Sequence, residues 1–225
     1  MIGVFDSGAG GLAALRVLRE LMPEEDTVYL ADRKNMPYGK KSEDELLFLV
    51  SRDIERLVGL GCRRVLIACW TASSVYARLS PRHREVSLPI IAPAAEDSGG
   101  GRVAVIATER TVISHAFERE ILNRYPDSSV TEIAAQSLVS LAESLAGGAP
   151  LGDEGVAEIE KTVKKIAAAE PDALLLGCTH FSHLKELFAE ALPSVRIVDA
   201  AVSGARAFCK GIEAISEGGV CRYIE

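Results

Sequence analysis

The sequence predicts an α/β fold built from two pseudo-symmetric domains with mainly parallel sheets, and a site at the interface between them. Three observations predict it. The apolar runs are short and continuous, as in Val65-Leu66-Ile67-Ala68 and Leu174-Leu175-Leu176-Gly177, which is the pattern of strands covered on both faces. Segments with helical spacing separate these runs, the alternation expected of crossover-connected parallel strands. Ser98-Gly99-Gly100-Gly101 lies between two similar sets of elements and marks a linker, placing a domain boundary near residues 93–101.

The elements follow in order. Residues 2–5 read as a strand, and the turn Asp6-Ser7-Gly8-Ala9-Gly10-Gly11 follows it. Leu12, Leu15, Leu18 and Met22 recur at helical spacing. Residues 27–31 read as a strand. Residues 42–60 read as a helix, with Ser42 as N-cap and Glu45 at the capping-box position. Residues 65–68 form a buried strand leading into Cys69, and residues 88–92 another. Beyond the glycines, residues 103–107 read as a strand, 111–125 as a helix, 130–134 as a strand and 138–145 as a helix. Residues 152–169 read as a helix stopped by Pro171. Residues 173–177 form a strand leading into Cys178. A helix over 183–192, a strand over 195–198 and a last helix over 202–215 complete the chain.

Composition excludes several function classes. Of 225 residues, 48% are hydrophobic and 25% charged, an ordinary globular balance. There is no apolar stretch of about 20 residues, so no membrane-spanning helix is expected. The first residues lack a basic segment and a cleavage site, so no secretory signal is expected and the cytoplasm is the expected location. The net charge is −7. Residues 1–93 carry 13 basic and 12 acidic side chains and residues 94–225 carry 12 and 20. No dense Lys/Arg cluster is available to neutralise phosphates, so no nucleic-acid partner is expected. The five cysteines stand at positions 62, 69, 178, 209 and 221. None forms a CxxC pair, which excludes zinc-ribbon and thioredoxin-like sites. They are expected to be free thiols.

The two halves resemble each other where chemistry is expected. Val65-Leu66-Ile67-Ala68-Cys69-Trp70-Thr71 is similar to Leu174-Leu175-Leu176-Gly177-Cys178-Thr179-His180. Ile2-Gly3-Val4-Phe5-Asp6-Ser7 is similar to Val103-Ala104-Val105-Ile106-Ala107-Thr108. Both thiols then sit at the carboxyl ends of strands, where open parallel sheets bind ligands. A helix N-terminus after each Cys is expected to favour the thiolate. Two thiols facing one pocket suit a reaction that removes a proton from one face of a carbon and returns one to the other. The competing reading is that each Cys is a small buried hydrophobe.

Other candidates surround them. The glycines after Asp6 allow close backbone approach and an anion at the following helix; a plain capped turn is the alternative. Asp6 is placed to orient a thiol or to take part in proton transfer. Pro37-Tyr38-Gly39 reads as a rigid turn presenting backbone N–H groups and the Tyr38 hydroxyl to a ligand, or as an ordinary loop. His180 follows Cys178 closely enough to polarise it or to donate to a carboxylate, or serves as a histidine bonded to the backbone. Cys62, Cys209, Cys221, His83, His115 and His183 read as packing or surface residues. A Cys-x5-Arg phosphatase loop is excluded, because Val75 and Leu184 occupy the Arg positions. A Cys–His hydrolase using Cys69 or Cys178 with His180 stays open, although no GxSxG accompanies it.

Taken together, five motifs resemble the glutamate racemases, within the cofactor-independent aspartate/glutamate racemase superfamily. They are Phe5-Asp6-Ser7-Gly8-Ala9-Gly10-Gly11-Leu12, Pro37-Tyr38-Gly39, Ile67-Ala68-Cys69 with Thr71-Ala72, Val105-Ile106-Ala107-Thr108, and Leu176-Gly177-Cys178-Thr179-His180-Phe181. The resemblance implies two domains, residues 1–93 plus 202–225 and residues 94–201, with the active site between them. It implies interconversion of L- and D-glutamate for peptidoglycan, with no cofactor and no metal. It implies Cys69 and Cys178 as the two acid/bases, assisted by Asp6, His180 and Glu143. Ser7, Pro37, Tyr38, Gly39, Trp70, Thr71 and Thr179 then fall at substrate-binding positions, the partner being a small amino acid; a homodimer stays open. The sequence departs from the family pattern at Trp70, where the family has Asn, at Ser182, where it has Pro, and at Ala31, where it has Gly. Trp70 leaves open a racemase for another amino acid such as aspartate, or a diverged non-catalytic member.

Overall fold

The structure is a computed structural model, and it describes residues 1–210 and 218–225. Its first sheet grows from β1 (Ile2–Asp6), whose five residues are all buried. Strands β2 (Thr27–Ala31) and β3 (Arg64–Ile67) flank it in parallel, with Ile2 opposite Thr27 and Arg64. Strand β4 (Ser87–Pro89) adds outside β3, and the chain's last strand, β9 (Cys221–Ile224), adds outside β2. The second sheet is built around β5 (Arg102–Ala107) and β7 (Ala173–Gly177), with β6 (Ser129–Ala134) and β8 (Arg196–Asp199) at its edges. Every pairing in both sheets is parallel, as continuous apolar strands require when helices cover both faces.

Helices supply that cover. Helix α1 (Leu12–Leu21) buries Ala14, Leu15 and Leu18. Helix α2 (Glu43–Gly59) begins with the predicted capping box: the Glu45 N–H donates to Ser42 Oγ at 3.3 Å, and the Ser42 N–H donates to Glu45 Oε2 at 2.8 Å. The connections after β3 and β4 contain α3 (Trp70–Ser73), α4 (Pro81–Val86) and α5 (Ile91–Ser98). The second sheet is wrapped by α6 (Glu109–Ser114), α7 (Ala116–Arg124), α8 (Ser137–Ala146), α9 (Asp153–Ala167) and α10 (Lys185–Ala191). Helix α11 (Ala200–Lys210) leaves the second sheet and packs on α1 and α5. A side chain at Gly204 would collide with Ile90, so α11 needs glycine for that approach. One hydrophobic cluster joins Ile2, Val4 and Leu18 of the first half to Val105, Phe117 and Leu175 of the second. The two halves therefore share a core.

Several expectations need correction. The expected strand over 88–92 ends at Pro89, and Ile91–Ser98 is a helix. Pro93 lies in its first turn, where the missing N–H would have no helical acceptor anyway. The backbone leaves α5 through Gly99, Gly100 and Gly101, at φ values of 69°, 70° and 80°. The single helix expected over 111–125 is two, α6 and α7, interrupted by His115 at φ 49°. The helix expected from 183 begins as a 3₁₀ segment, Thr179–Leu184, before α10. The last helix starts at Ala200, before the expected 202, and positions 211–215 of that expectation lie outside the described residues. Cys221, expected as a tail residue, begins an edge strand opposite Thr27.

Candidate active site

The register of the sheets sets the site. Strand β3 lies beside β1 and hands the chain to Cys69, while β7 lies beside β5 and hands it to Cys178. Both positions are at the carboxyl ends of parallel strands, where the crossovers leave a crevice. The two cysteines line one cavity of about 40 Å³, together with Ser7, Pro37, Tyr38, Gly39, Trp70, Thr71, Glu143, Thr179 and His180. Asp6 stands behind this wall, fully buried. Every expected site residue is thus brought together. A cavity needs roughly 10–15 Å³ of such space to hold one water, so this one has room for a few waters. An acidic amino acid enters only if the walls part.

The surroundings of the two thiols differ. Cys178 Sγ lies 3.6 Å from His180 Nδ1. On the far side of the ring, His180 Nε2 is 3.1 Å from Glu143 Oε1, an ion-pair distance outside the angular range of a hydrogen bond. Cys69 Sγ instead donates to Ser7 Oγ at 3.4 Å. Asp6 accepts from the Gly8 N–H at 2.7 Å and from Thr179 Oγ1 at 3.2 Å. Burial raises its carboxyl above the ordinary 3.8, opposed by His180 and those two donors. The Tyr29 hydroxyl donates to the Gly8 carbonyl at 2.8 Å and so fixes the turn from below. A side chain at Gly10 would collide with Thr179 Oγ1; the glycine lets this turn press directly on the Cys178 segment.

The expected thiolate character is not found. Burial pushes Cys69 up to about 12, with the nearby Asp6 adding to it, and burial likewise raises Cys178. The physical reason is local. The helix after Cys69 has four residues and the segment after Cys178 is 3₁₀. Such short dipoles do not offset the desolvation of a buried charge.

One further residue departs from expectation, and another takes a second role. Tyr38 lines the cavity, yet its hydroxyl donates to Asp32 Oδ2 at 2.6 Å. It is not free for a ligand. Trp70 is buried and stacks on Phe117, with ring centroids 4.5 Å apart. Its indole N–H has no hydrogen-bond partner among the described residues. Trp70 thus serves both the shared core and the cavity wall.

Thr108, Gln136, Met36 and Val139 also line the cavity, beyond the expected site residues. Thr108 had a signal: it follows β5 as Ser7 follows β1. Its hydroxyl lies 3.3 Å from Thr71 Oγ1 and 2.9 Å from Thr111 Oγ1, a cluster that crosses between the halves. Gln136 had none; it arrives through the loop between β6 and α8. A larger cavity, about 840 Å³, lies between the end of α1 and α11 and contains neither Cys69 nor Cys178. Among the described residues, His115, Glu118 and Glu132 could share a metal ion, but none of them lines the thiol cavity. No helix of the described residues is long and apolar enough to cross a membrane.

Comparison with known proteins agrees with this geometry. Residues 13–208 match the family described as Asp/Glu/Hydantoin racemase. The chain is 36% identical over 210 residues to a glutamate racemase of Herpetosiphon aurantiacus, covering 91% of this chain and 82% of that protein. It is 35% identical over 208 residues to one of Lactobacillus helveticus, covering 89% and 76%. Among solved structures, a glutamate racemase of Francisella tularensis in complex with D-glutamate superposes with a TM-score of 0.85 at 26% identity, covering 99% of this chain and 86% of that one.

Proposed function

Since this chain belongs to the Asp/Glu/Hydantoin racemase family, we propose that it interconverts L- and D-glutamate by proton transfer between the substrate α-carbon and the thiols of Cys69 and Cys178. It is an isomerase, an amino-acid racemase. Glutamate is the substrate its relatives' names carry. The observation that carries the reading is that both thiols line one small cavity, each delivered by a different sheet. The domains are read as residues 1–93 with 202–225 and residues 94–201, each contributing one thiol.

The chemistry follows from the surroundings. Both thiols are protonated at rest, so one must lose its proton before it can act as base. His180 Nδ1 is the acceptor beside Cys178, and Glu143 balances the resulting imidazolium. Cys69 has Ser7 as hydrogen-bond partner and the Asp6 carboxylate nearby to receive its proton. One thiolate takes the α-proton; the electron pair moves into the substrate carboxylate; the opposite thiol returns a proton to the other face. The reverse reaction exchanges the roles. Hydroxyls of Ser7, Thr71 and Thr179 and backbone N–H groups of the Tyr38-Gly39 turn hold the substrate carboxylates, and donors aimed at developing charge lower the barrier. The protein's net charge of −7 gives an acidic amino acid no general attraction, so these local donors carry binding. The product D-glutamate serves peptidoglycan synthesis in the cytoplasm.

Circular dichroism tests this directly. The signal of L-glutamate should decay to that of a racemic mixture with the wild type, and Cys69→Ser and Cys178→Ser should each slow the decay by about 10³-fold or more. An inactive wild type, or a fully active single-thiol variant, would overturn the reading.

A further inference from the structure

Beneath the Pro37-Tyr38-Gly39 turn lies a charged network that the catalytic reading does not use. Asp32 sits just after β2 and Asp53 lies within α2, and their side chains are 7% and 0% exposed. Arg52, also on α2, reaches both. Its Nη2 donates to Asp32 Oδ2 at 2.9 Å and to Asp53 Oδ2 at 2.9 Å, and its Nε donates to Asp53 Oδ1 at 2.8 Å. Asn35 Nδ2 donates to both Asp32 oxygens, at 2.8 and 3.0 Å. Between the carboxylates stands the Tyr38 hydroxyl, 2.6 Å from Asp32 Oδ2 and 3.4 Å from Asp53 Oδ2.

We propose that Arg52, Asp32 and Asp53 are positioning residues: a clamp of one guanidinium and two buried carboxylates that fixes the Tyr38 hydroxyl and thereby sets the substrate-binding turn against the two thiols. This rests on the racemase reading for its kinetic consequence, but not for its structural one.

The physical case is one of charge balance. Two buried carboxylates this close repel, and each is costly to bury unpaired. One guanidinium, offering its fork of donors to both, makes the arrangement tolerable. The phenol proton is then drawn to Asp32 in a charge-assisted hydrogen bond, which ties the far end of the Tyr38 ring to helix α2. The same residue, with Pro37 and Gly39 on either side of it, lines the cavity. Removing Arg52 leaves two carboxylates competing for one phenol proton, and the ring and its turn must move to relieve them. The turn supplies donors to the substrate in ground state and transition state alike, so its displacement raises KM more than it lowers kcat.

The test compares Arg52→Gln with the double variant Arg52→Gln/Asp53→Asn, which removes one of the repelling charges. Two measurements are made on the full chain. The first is backbone hydrogen exchange at Lys40 and Lys41, whose N–H groups donate to the Pro37 and Tyr38 carbonyls at 3.4 and 3.1 Å. The second is KM and kcat for glutamate. Arg52→Gln should speed exchange and raise KM, each by about tenfold, the loss expected of a charged hydrogen bond, with kcat changed by less than about threefold. Adding Asp53→Asn should restore most of both. If Arg52→Gln does not fold, Tyr38→Phe in the same exchange measurement takes its place and should loosen the same two amides. Unchanged exchange in the substituted protein overturns the clamp, as does a double variant no better than the single. A wild type that fails to racemise glutamate overturns the functional reading instead, and the exchange comparison still decides the clamp.

Discussion

The imidazole of His180 lies with Nδ1 3.6 Å from Cys178 Sγ, whereas Cys69 Sγ has no imidazole beside it and donates to the Ser7 hydroxyl at 3.4 Å. Two thiols on related strands thus receive unequal assistance. The equilibrium constant between enantiomers is one, so kcat/KM must stay equal in the two directions whatever residue is changed. His180→Asn should lower kcat/KM by about 10²-fold, the usual size of a general acid–base contribution, and equally from L- and from D-glutamate. Ser7→Ala should cost about tenfold, a hydrogen bond's worth. Initial rates from each enantiomer measure this; a His180→Asn enzyme within twofold of wild type would contradict the assistance assigned to the imidazole.

The raised thiols give a pH prediction. Burial places Cys69 at about 12 and also raises Cys178. Alkylation of both by iodoacetamide, followed residue by residue by mass spectrometry, should be slow at neutral pH. The rate should keep rising with pH past 9, because the thiolate fraction is still growing there. A plateau beginning near pH 7 would show thiolates at rest and remove the need for proton acceptors beside the thiols.

Trp70 carries stability. Its ring is buried and stacked on Phe117 across the shared core. Trp70→Ala should lower unfolding free energy by about 3–5 kcal/mol in a denaturant titration, the usual cost of emptying an aromatic site. Trp70→Phe should cost less, because a ring remains for the stack. A Trp70→Ala protein as stable as wild type would place the indole outside the core.

Asp53 supplies a stability signature. Burial raises its carboxyl to about 6 from an ordinary 3.8, so the folded chain holds a proton that the unfolded chain has already released. That difference favours folding at low pH and is lost as pH rises from about 4 to about 6. The stability of wild type minus that of Asp53→Asn should therefore fall across this window. A flat difference curve would mean that Asp53 titrates normally.

Much of this was legible in the sequence because the signals are local. Continuous apolar strands, the Ser42–Glu45 capping box and the matched Cys69 and Cys178 strand ends all depend on near neighbours, and they located both sheets and both thiols. What escaped depended on distant partners. The direction of the Tyr38 hydroxyl is set by Asp32 and by an arginine on α2. The thiols' protonation is set by burial from both halves, which outweighs helix ends too short to matter. Gln136 joins the cavity only because β6 places it opposite Gly39, where a Cβ would stand 3.1 Å from its Oε1. Strand β9 pairs with β2 from the far end of the chain, and nothing local announces it.

The central claim is that two thiols act from opposite faces of one carbon. Racemisation in D2O measures this most directly, with deuterium at the α-carbon read separately in each enantiomer at low conversion. Starting from L-glutamate, the D-glutamate formed should carry deuterium from the exchanged donor thiol, while the L-glutamate recovered should still carry protium. Product retaining protium, or recovered substrate gaining deuterium as fast as product forms, would point to a single base and contradict the account.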